Sequence, residues 1–272
     1  MAINLFEKYA RTLANAYTIN SFLKGKTSAE YEWEGARSVK ILTITTQEMN
    51  DYNRTATGNR YGTPTELQDT VQTINITQDK SFSIVIDKGN NTQQGMLKEA
   101  GRALKAQVDE KVVPMIDKYA LVKFAAGAGT DITKYTAITK SNIIEVLTSI
   151  EDAMSDELVP LNDRFAFMPN SAVSLFRQSL TNCDNITDRL LLKGVVGKLG
   201  TLNIVGIPAS WMPENVGVLA WHKGAVVLPE QIKDAKVHQD PPGYSGNLLE
   251  GRYLYDAAVI TAHNKGVVKV SI

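Results

Sequence analysis

Three histidines, one cysteine and a few carboxylate pairs are the groups in this chain that could support enzymatic or metal chemistry. His222, His238 and His263 lie far apart, with no cysteine or histidine at ligand spacing; only Asp240 stands near, two residues after His238. A metal site needs three or four converging ligands, so none is expected. Cys183 is flanked by Asn182 and Asp184, which bring no positive charge to stabilise a thiolate, and no Gly-x-Ser-x-Gly elbow occurs. Gly194-Val195-Val196-Gly197-Lys198-Leu199-Gly200 lacks the ending and the strand-loop-helix order of a phosphate cradle and is expected to be a flexible loop, as is Gly127-Ala128-Gly129. Glu151 with Asp152, and Asp156 with Glu157, fall on the solvated face of an expected helix and serve solubility. No catalytic residue and no cofactor is expected.

What remains is the chemistry of association. The polar run Gln47 to Thr70 carries Tyr52, Tyr61 and Leu67, able to bury contact area, and Asp51, Arg54, Arg60, Glu66 and Asp69, able to pair across a boundary. Aromatic and arginine side chains are the usual anchors of protein interfaces. A connection this long is normally functional or flexible.

The elements that must position this run are legible on both sides. Val39 to Thr45 is rich in β-branched residues and predicts a strand. Ile74 to Ile86 carries Ile, Ile, Gln, Lys, Phe, Ile and Ile at even positions, with polar odd positions apart from Val85, which predicts a partner strand with one apolar face. Beyond Asp87-Lys88-Gly89, Asn91 or Thr92 is placed to cap a helix whose apolar stripe runs Leu97, Ala100, Leu104, Val108, Val112, Met115 or Ile116, Tyr119 and Phe124. From Thr92 to Phe124 it would be roughly 50 Å long, with Pro114 kinking it.

Elsewhere, Leu5, Tyr9, Leu13 and Tyr17 predict an amphipathic helix that packs on its own or a neighbouring subunit. A helix is expected from Ser141 to Leu158, a strand at Arg164 to Met168, a helix from near Pro169 to Ser179 with Asn170 as cap, and strands at Leu202 to Ile207 and Val216 to Trp221. Tyr253 to His263 and Val267 to Ile272 are expected to form a hairpin through Asn264-Lys265-Gly266. The fold class is α+β.

The 272 residues are 43% hydrophobic and 21% charged, which excludes global disorder. With 29 basic and 29 acidic residues there is no net positive field to draw the chain onto nucleic acid or an anionic membrane. A single cysteine excludes an intrachain disulfide and suits a reducing cytoplasm. The amino terminus lacks a secretory signal, and no apolar run approaches the ~20 residues of a membrane span.

The order strand, Asp51-Tyr52-Asn53-Arg54, strand, Val85-Ile86-Asp87, then a helix holding Val112-Val113-Pro114-Met115-Ile116-Asp117-Lys118-Tyr119, resembles a tailed-bacteriophage major capsid protein with the Hong Kong 97-type shell fold. His238-Gln239-Asp240-Pro241-Pro242-Gly243 followed by Glu250-Gly251-Arg252-Tyr253-Leu254-Tyr255-Asp256-Ala257-Ala258-Val259 is similar to that family's closing segment. The resemblance implies an N-terminal arm at 1–37, an extended β-hairpin loop at 38–88, a peripheral domain with its spine helix at 89–137, an axial domain at 138–240 and a return to the peripheral domain at 241–272. It implies an icosahedral shell of pentamers and hexamers of the chain itself around double-stranded phage DNA held by non-specific contact. It also implies a portal, assembly in the host cytoplasm and a final place in the virion.

Some members weld subunits through a lysine in the extended loop; the run Gln47 to Thr70 has none, only Arg54 and Arg60, so a non-covalent shell is expected unless Lys80 or another residue outside the run takes that part. About 37 residues precede the first strand, so a separate scaffolding protein is expected or the sequence is already processed. Gly89 is the expected hinge of the arm. The alternative within the same fold is an encapsulin-like nanocompartment shell enclosing an enzyme cargo.

Overall fold

The computed structural model describes residues 21–31, 38–44, 46–89, 99–179, 195–243 and 245–272. The expectations for Leu5 to Tyr17, for the helix start at Asn91, Thr92 and Leu97, and for Cys183 lie outside these residues.

In chain order the structure runs β1 (Ser38–Ile44), β2 (Asp69–Asn75), β3 (Gln78–Asp87), α1 (Ala100–Gln107), a π-helical turn at Val108–Val112, and α2 (Val113–Ala126). It continues with β4 (Thr130–Ile132), α3 (Ile143–Asp156), β5 (Arg164–Pro169), α4 (Asn170–Ser179), β6 (Val195–Leu199), β7 (Leu202–Ile207) and β8 (Val216–His222). Last come β9 (Val226–Val227), β10 (Glu230–Gln239), β11 (Gly246–Tyr255), β12 (Ala258–Val259) and β13 (Val267–Ser271). No helix among the described residues is long and apolar enough to cross a membrane.

The apolar runs at 164–169, 202–207 and 216–222 become central strands of a six-stranded sheet ordered β4-β13-β8-β5-β7-β6. They lack alternation because both faces are covered. Phe165 and Phe167 of β5 pack with Ala120, Leu121 and Phe124 of α2 and with Trp221 of β8. Ala166 and Met168 join the opposite layer, formed by Leu147 and Ile150 of α3 and Val173 and Phe176 of α4. The strand therefore alternates between two apolar layers, and one sheet serves two cores.

The long helix forms as the spacing predicts and is described from Ala100 to Ala126. Pro114 cannot donate to the carbonyl one turn back, and the turn before it widens: the Val113 N–H reaches Val108 O, five residues away. The disturbance expected at Pro114 is thus a π-helical turn. Val112 and Ile116 then pack on Tyr253 and Tyr255 of β11, which lies at the centre of a three-stranded sheet ordered β10-β11-β3.

Several sequence expectations are corrected. The single strand expected from Ile74 to Ile86 is two strands: β2 pairs with β1, and β3 pairs with β11 in a different sheet. The even-numbered face holds across the break, with Ile74, Ile76 and Ile86 buried. The hairpin expected around Asn264-Lys265-Gly266 is absent, because Thr261–Gly266 is a 3₁₀ helix and Val267–Ser271 pairs with β8 and β4. Asn170 is the first residue of α4 instead of its cap.

Over the described residues 127–129 and 195–200, the two glycine stretches are structured. Residues 195–199 form β6, and Gly200 turns the chain at φ 54 into β7. At Gly129 the N–H donates toward Asn264 O at 3.0 Å and Val267 O at 3.1 Å, which fixes the end of the long helix against the 3₁₀ helix. Glu151 is also not a free solvated carboxylate: its Oε1 accepts from the Thr201 N–H and hydroxyl, both at 2.8 Å. It ties α3 to the β6–β7 turn.

Candidate functional site

The β1–β2 ribbon is held to the body at its base. Ile41 and Ile74 are buried against Val227 and Ile260. Gln72 spans the joint, donating from Nε2 to Val259 O at 2.9 Å and accepting from the Thr261 N–H at 2.6 Å. Where β2 gives way to β3, Asp256 accepts from the Thr77 N–H (2.9 Å) and hydroxyl (2.7 Å) through one oxygen. Through the other it accepts from the Tyr119 hydroxyl (2.8 Å) and the Ala257 N–H (2.7 Å). Four donors on one buried carboxylate set the angle at which the ribbon leaves the sheet.

Beyond the base, none of residues 46–68 is buried. The loop nevertheless has internal order. Asn53 Oδ1 accepts from the N–H groups of Thr55 (3.0 Å) and Ala56 (3.2 Å) and from the Thr55 hydroxyl (2.8 Å). The Asn53 N–H donates to Arg60 O at 3.0 Å, and Arg60 Nε donates to Ala56 O at 2.8 Å. Gly62, at φ 86, closes the turn with its N–H on Asn59 O at 2.9 Å. Farther down, the Thr65 hydroxyl donates to Gln47 Oε1.

This scaffold brings Tyr52 and Tyr61 together, ring edge to ring face, with centroids 5.0 Å apart. Tyr61 remains 84% exposed and Leu67 67% exposed, so most of their apolar area still faces solvent. Asp51, Arg54, Arg60 and Glu66 are exposed along the same loop. Among the described residues, none of these four joins an ion pair. Asp69 is exposed as well and stands where the loop rejoins the ribbon, as the first residue of β2 opposite Ile44.

The sequence reading missed a second apolar surface. Leu42 and Val71 are cross-strand partners on the outer face of the ribbon, and Ile44 lies beside them; all three are exposed. The available signal was that β1 carries apolar residues at both odd and even positions.

The segment 21–31 is fastened to the body by Asp117 of α2, which accepts from the Ser21 hydroxyl at 2.8 Å and the Phe22 N–H at 2.9 Å. Burial pushes the Asp117 carboxyl above its usual range, against the lowering effect of these two hydrogen bonds. Of the histidines, His222 and His263 converge on one residue: Gly224 donates its N–H to His222 Nδ1 at 3.2 Å, and Gly224 O lies 3.2 Å from His263 Nδ1. His238 is elsewhere, 3.3 Å from Glu250 on the outer face of the three-stranded sheet. No cluster of three or more metal-ligating side chains occurs among the described residues.

The whole architecture is similar to solved structures from phages. A chain in the capsid of Cyanophage P-SCSP1u superposes with a TM-score of 0.76 at 12% identity, covering 98% of this chain and 93% of that one. A structure from Mycobacterium phage Che8 gives 0.75 at 19% identity, covering 99% and 98%. A chain in the asymmetric unit of the mature capsid of bacteriophage PhiM1 gives 0.70 at 14% identity, covering 100% and 92%. No protein-family model matches the chain, and no curated protein matches its sequence. At these identities the likeness shows the fold, and it extends over nearly the full length of each chain.

Proposed function

We propose that this chain is the major capsid protein of a tailed bacteriophage, a shell subunit whose function is association. One observation carries the reading: on a fold shared end to end with phage capsid chains, an internally ordered loop stands clear of the body and presents Tyr52, Tyr61 and Leu67 to solvent. Ordering a loop costs about 1–2 kcal/mol per residue in backbone entropy, and a preformed apolar tip recovers affinity on contact with a neighbour.

In this reading residues 38–88 are the extended loop, the helix from Ala100 to Ala126 is the spine of the peripheral domain, and the six-stranded sheet with α3 and α4 forms the axial domain. Residues 1–37 are the arm, and 241–272 return toward the spine. Copies meet through heterologous contacts that close into pentamers and hexamers. A scaffolding protein and a portal complete assembly in the host cytoplasm, and packaged DNA touches the shell non-specifically. With no lysine between Gln47 and Thr70, the shell is held without covalent links between loops.

The test is assembly itself. The purified chain, with and without a co-expressed scaffolding protein, is followed by light scattering and electron microscopy. Closed particles support the reading; a stable monomer under every condition overturns it. Tyr61→Ala with Leu67→Ser should leave the monomer's unfolding midpoint unchanged while assembly is lost, because both side chains contribute little to the monomer's own core.

A further inference from the structure

We propose that a cleft beside Leu158 receives the loop tip of a second copy of this chain, with Tyr61 as the side chain that enters it. The inference rests on the shell reading and adds the place where the loop docks.

Leu158 follows the end of α3 at φ 55, in the left-handed region that normally takes glycine at this position. Its N–H donates to Ser155 O at 3.0 Å, so the strained backbone is held in place. Its side chain is 89% exposed and returns nothing to the subunit's own core. Leu161, three residues on, is 63% exposed. Backbone strain and exposed apolar area on the same loop are costs that the isolated subunit does not recover.

Beside Leu158 lies a cleft of about 320 Å³ whose apolar wall is Val159, Pro160, Ala225 and Ala262. A dry cavity of roughly 150 Å³ already accepts benzene, so an aromatic ring fits this one. His222 and His263 line it as well and offer ring nitrogens to a phenolic hydroxyl.

The charges also match. Glu157 and Lys265 neutralise each other at 2.5 Å. What is left around this cleft and the one adjoining it is Glu30 and Asp163 against Lys223, an acidic excess. The apex of the loop, residues 51–61, carries Arg54 and Arg60 against Asp51, a basic excess, while Glu48 and Glu66 lie toward the loop's base. Because none of residues 46–68 is buried on its own body, the tip in the cleft comes from another copy.

The experiment uses Cys183→Ser as the parent, mixing a Thr63→Cys chain with an Asn162→Cys chain before assembly and adding a short bis-maleimide, so that Tyr61 and Leu158 themselves stay in place. The expected result is a covalent dimer in assembled particles that neither single variant gives alone. Particles that form without this dimer overturn the docking site and leave the shell reading standing; a parent that never assembles overturns both. Leu158→Gly serves as a second test that does not depend on cysteine chemistry. It relieves the left-handed strain, so the monomer's unfolding midpoint rises, while the concentration needed for assembly rises about tenfold or more. Unchanged assembly by Leu158→Gly overturns the proposal.

Discussion

Tyr119 on the long helix donates its hydroxyl to Asp256 Oδ1 over 2.8 Å, joining the helix to the point where the ribbon departs. Asp256 is buried, and its second oxygen is taken by Thr77. Asp256→Ala therefore leaves the buried Ala257 N–H and the half-buried Tyr119 hydroxyl without their acceptor, and a loss of roughly 2 kcal/mol in urea unfolding is expected. Asp256→Asn is expected to cost nearly as much, because its amide nitrogen must face either the Thr77 or the Tyr119 and Ala257 donors. In both variants proteolysis at the ribbon base should quicken more than elsewhere. Equal protection in wild type and variants would show that the carboxylate does not set this joint.

Arg164, the first residue of β5, is fully buried and divides its donors among the loop before it, the end of α3 and the β6–β7 turn. Nε donates to Pro160 O at 2.9 Å, Nη2 to Val159 O at 2.5 Å, and Nη1 to Ser155 Oγ at 3.1 Å and Thr201 Oγ1 at 3.2 Å. This fork also shapes the loop that carries Leu158 and Leu161. Arg164→Met should cost about 2–4 kcal/mol, since the carbonyls lose their partner in a closed site. Arg164→Lys should recover less than half of that, as one ammonium cannot reach both sides of the fork. Chemical denaturation decides it; a lysine variant as stable as wild type would count against the fork.

What was legible in the sequence was what side chains encode locally. The even-numbered apolar face from Ile74 to Ile86, the long helix and the buried runs at 202–207 and 216–221 all follow from period and composition. What was hidden depends on distant partners. The break at Ile76 and Thr77 is fixed by Asp256, 179 positions away. Gly266 lies in a turn-forming tripeptide, but Val267–Ser271 finds its partners in β8 and β4, and those pairings outweigh the local turn signal. Glu151 looked solvated because Thr201 is brought to it only by the fold. For the loop, residue types pointed to Tyr52 and Tyr61, but the outward face of Leu42 and Val71 depends on which side Val227 and Ile260 cover.

His222 provides a pH test of the edge where the cleft lies. Burial holds its pKa below the ordinary 6.5; the neighbouring Asp163 and Glu30 pull upward, and Arg164 and His263 push down. Lys223, Glu157 and Lys265 line the same pair of clefts. The unfolded chain therefore takes up the proton first as pH falls. Stability from this group is complete above about pH 6.5 and is lost as pH drops toward the folded value. The geometry agrees in sign, since a proton on Nδ1 would face the Gly224 N–H that it now accepts. Because the ring is only half-buried, the slope should be well under the roughly 1.4 kcal/mol per pH unit of a fully linked proton. His222→Asn keeps an acceptor for Gly224 without titrating in this range, so the difference in unfolding free energy between wild type and variant should change from pH 8 to pH 5, with the variant flatter. Parallel profiles would show that the imidazole titrates alike in the folded and unfolded chain.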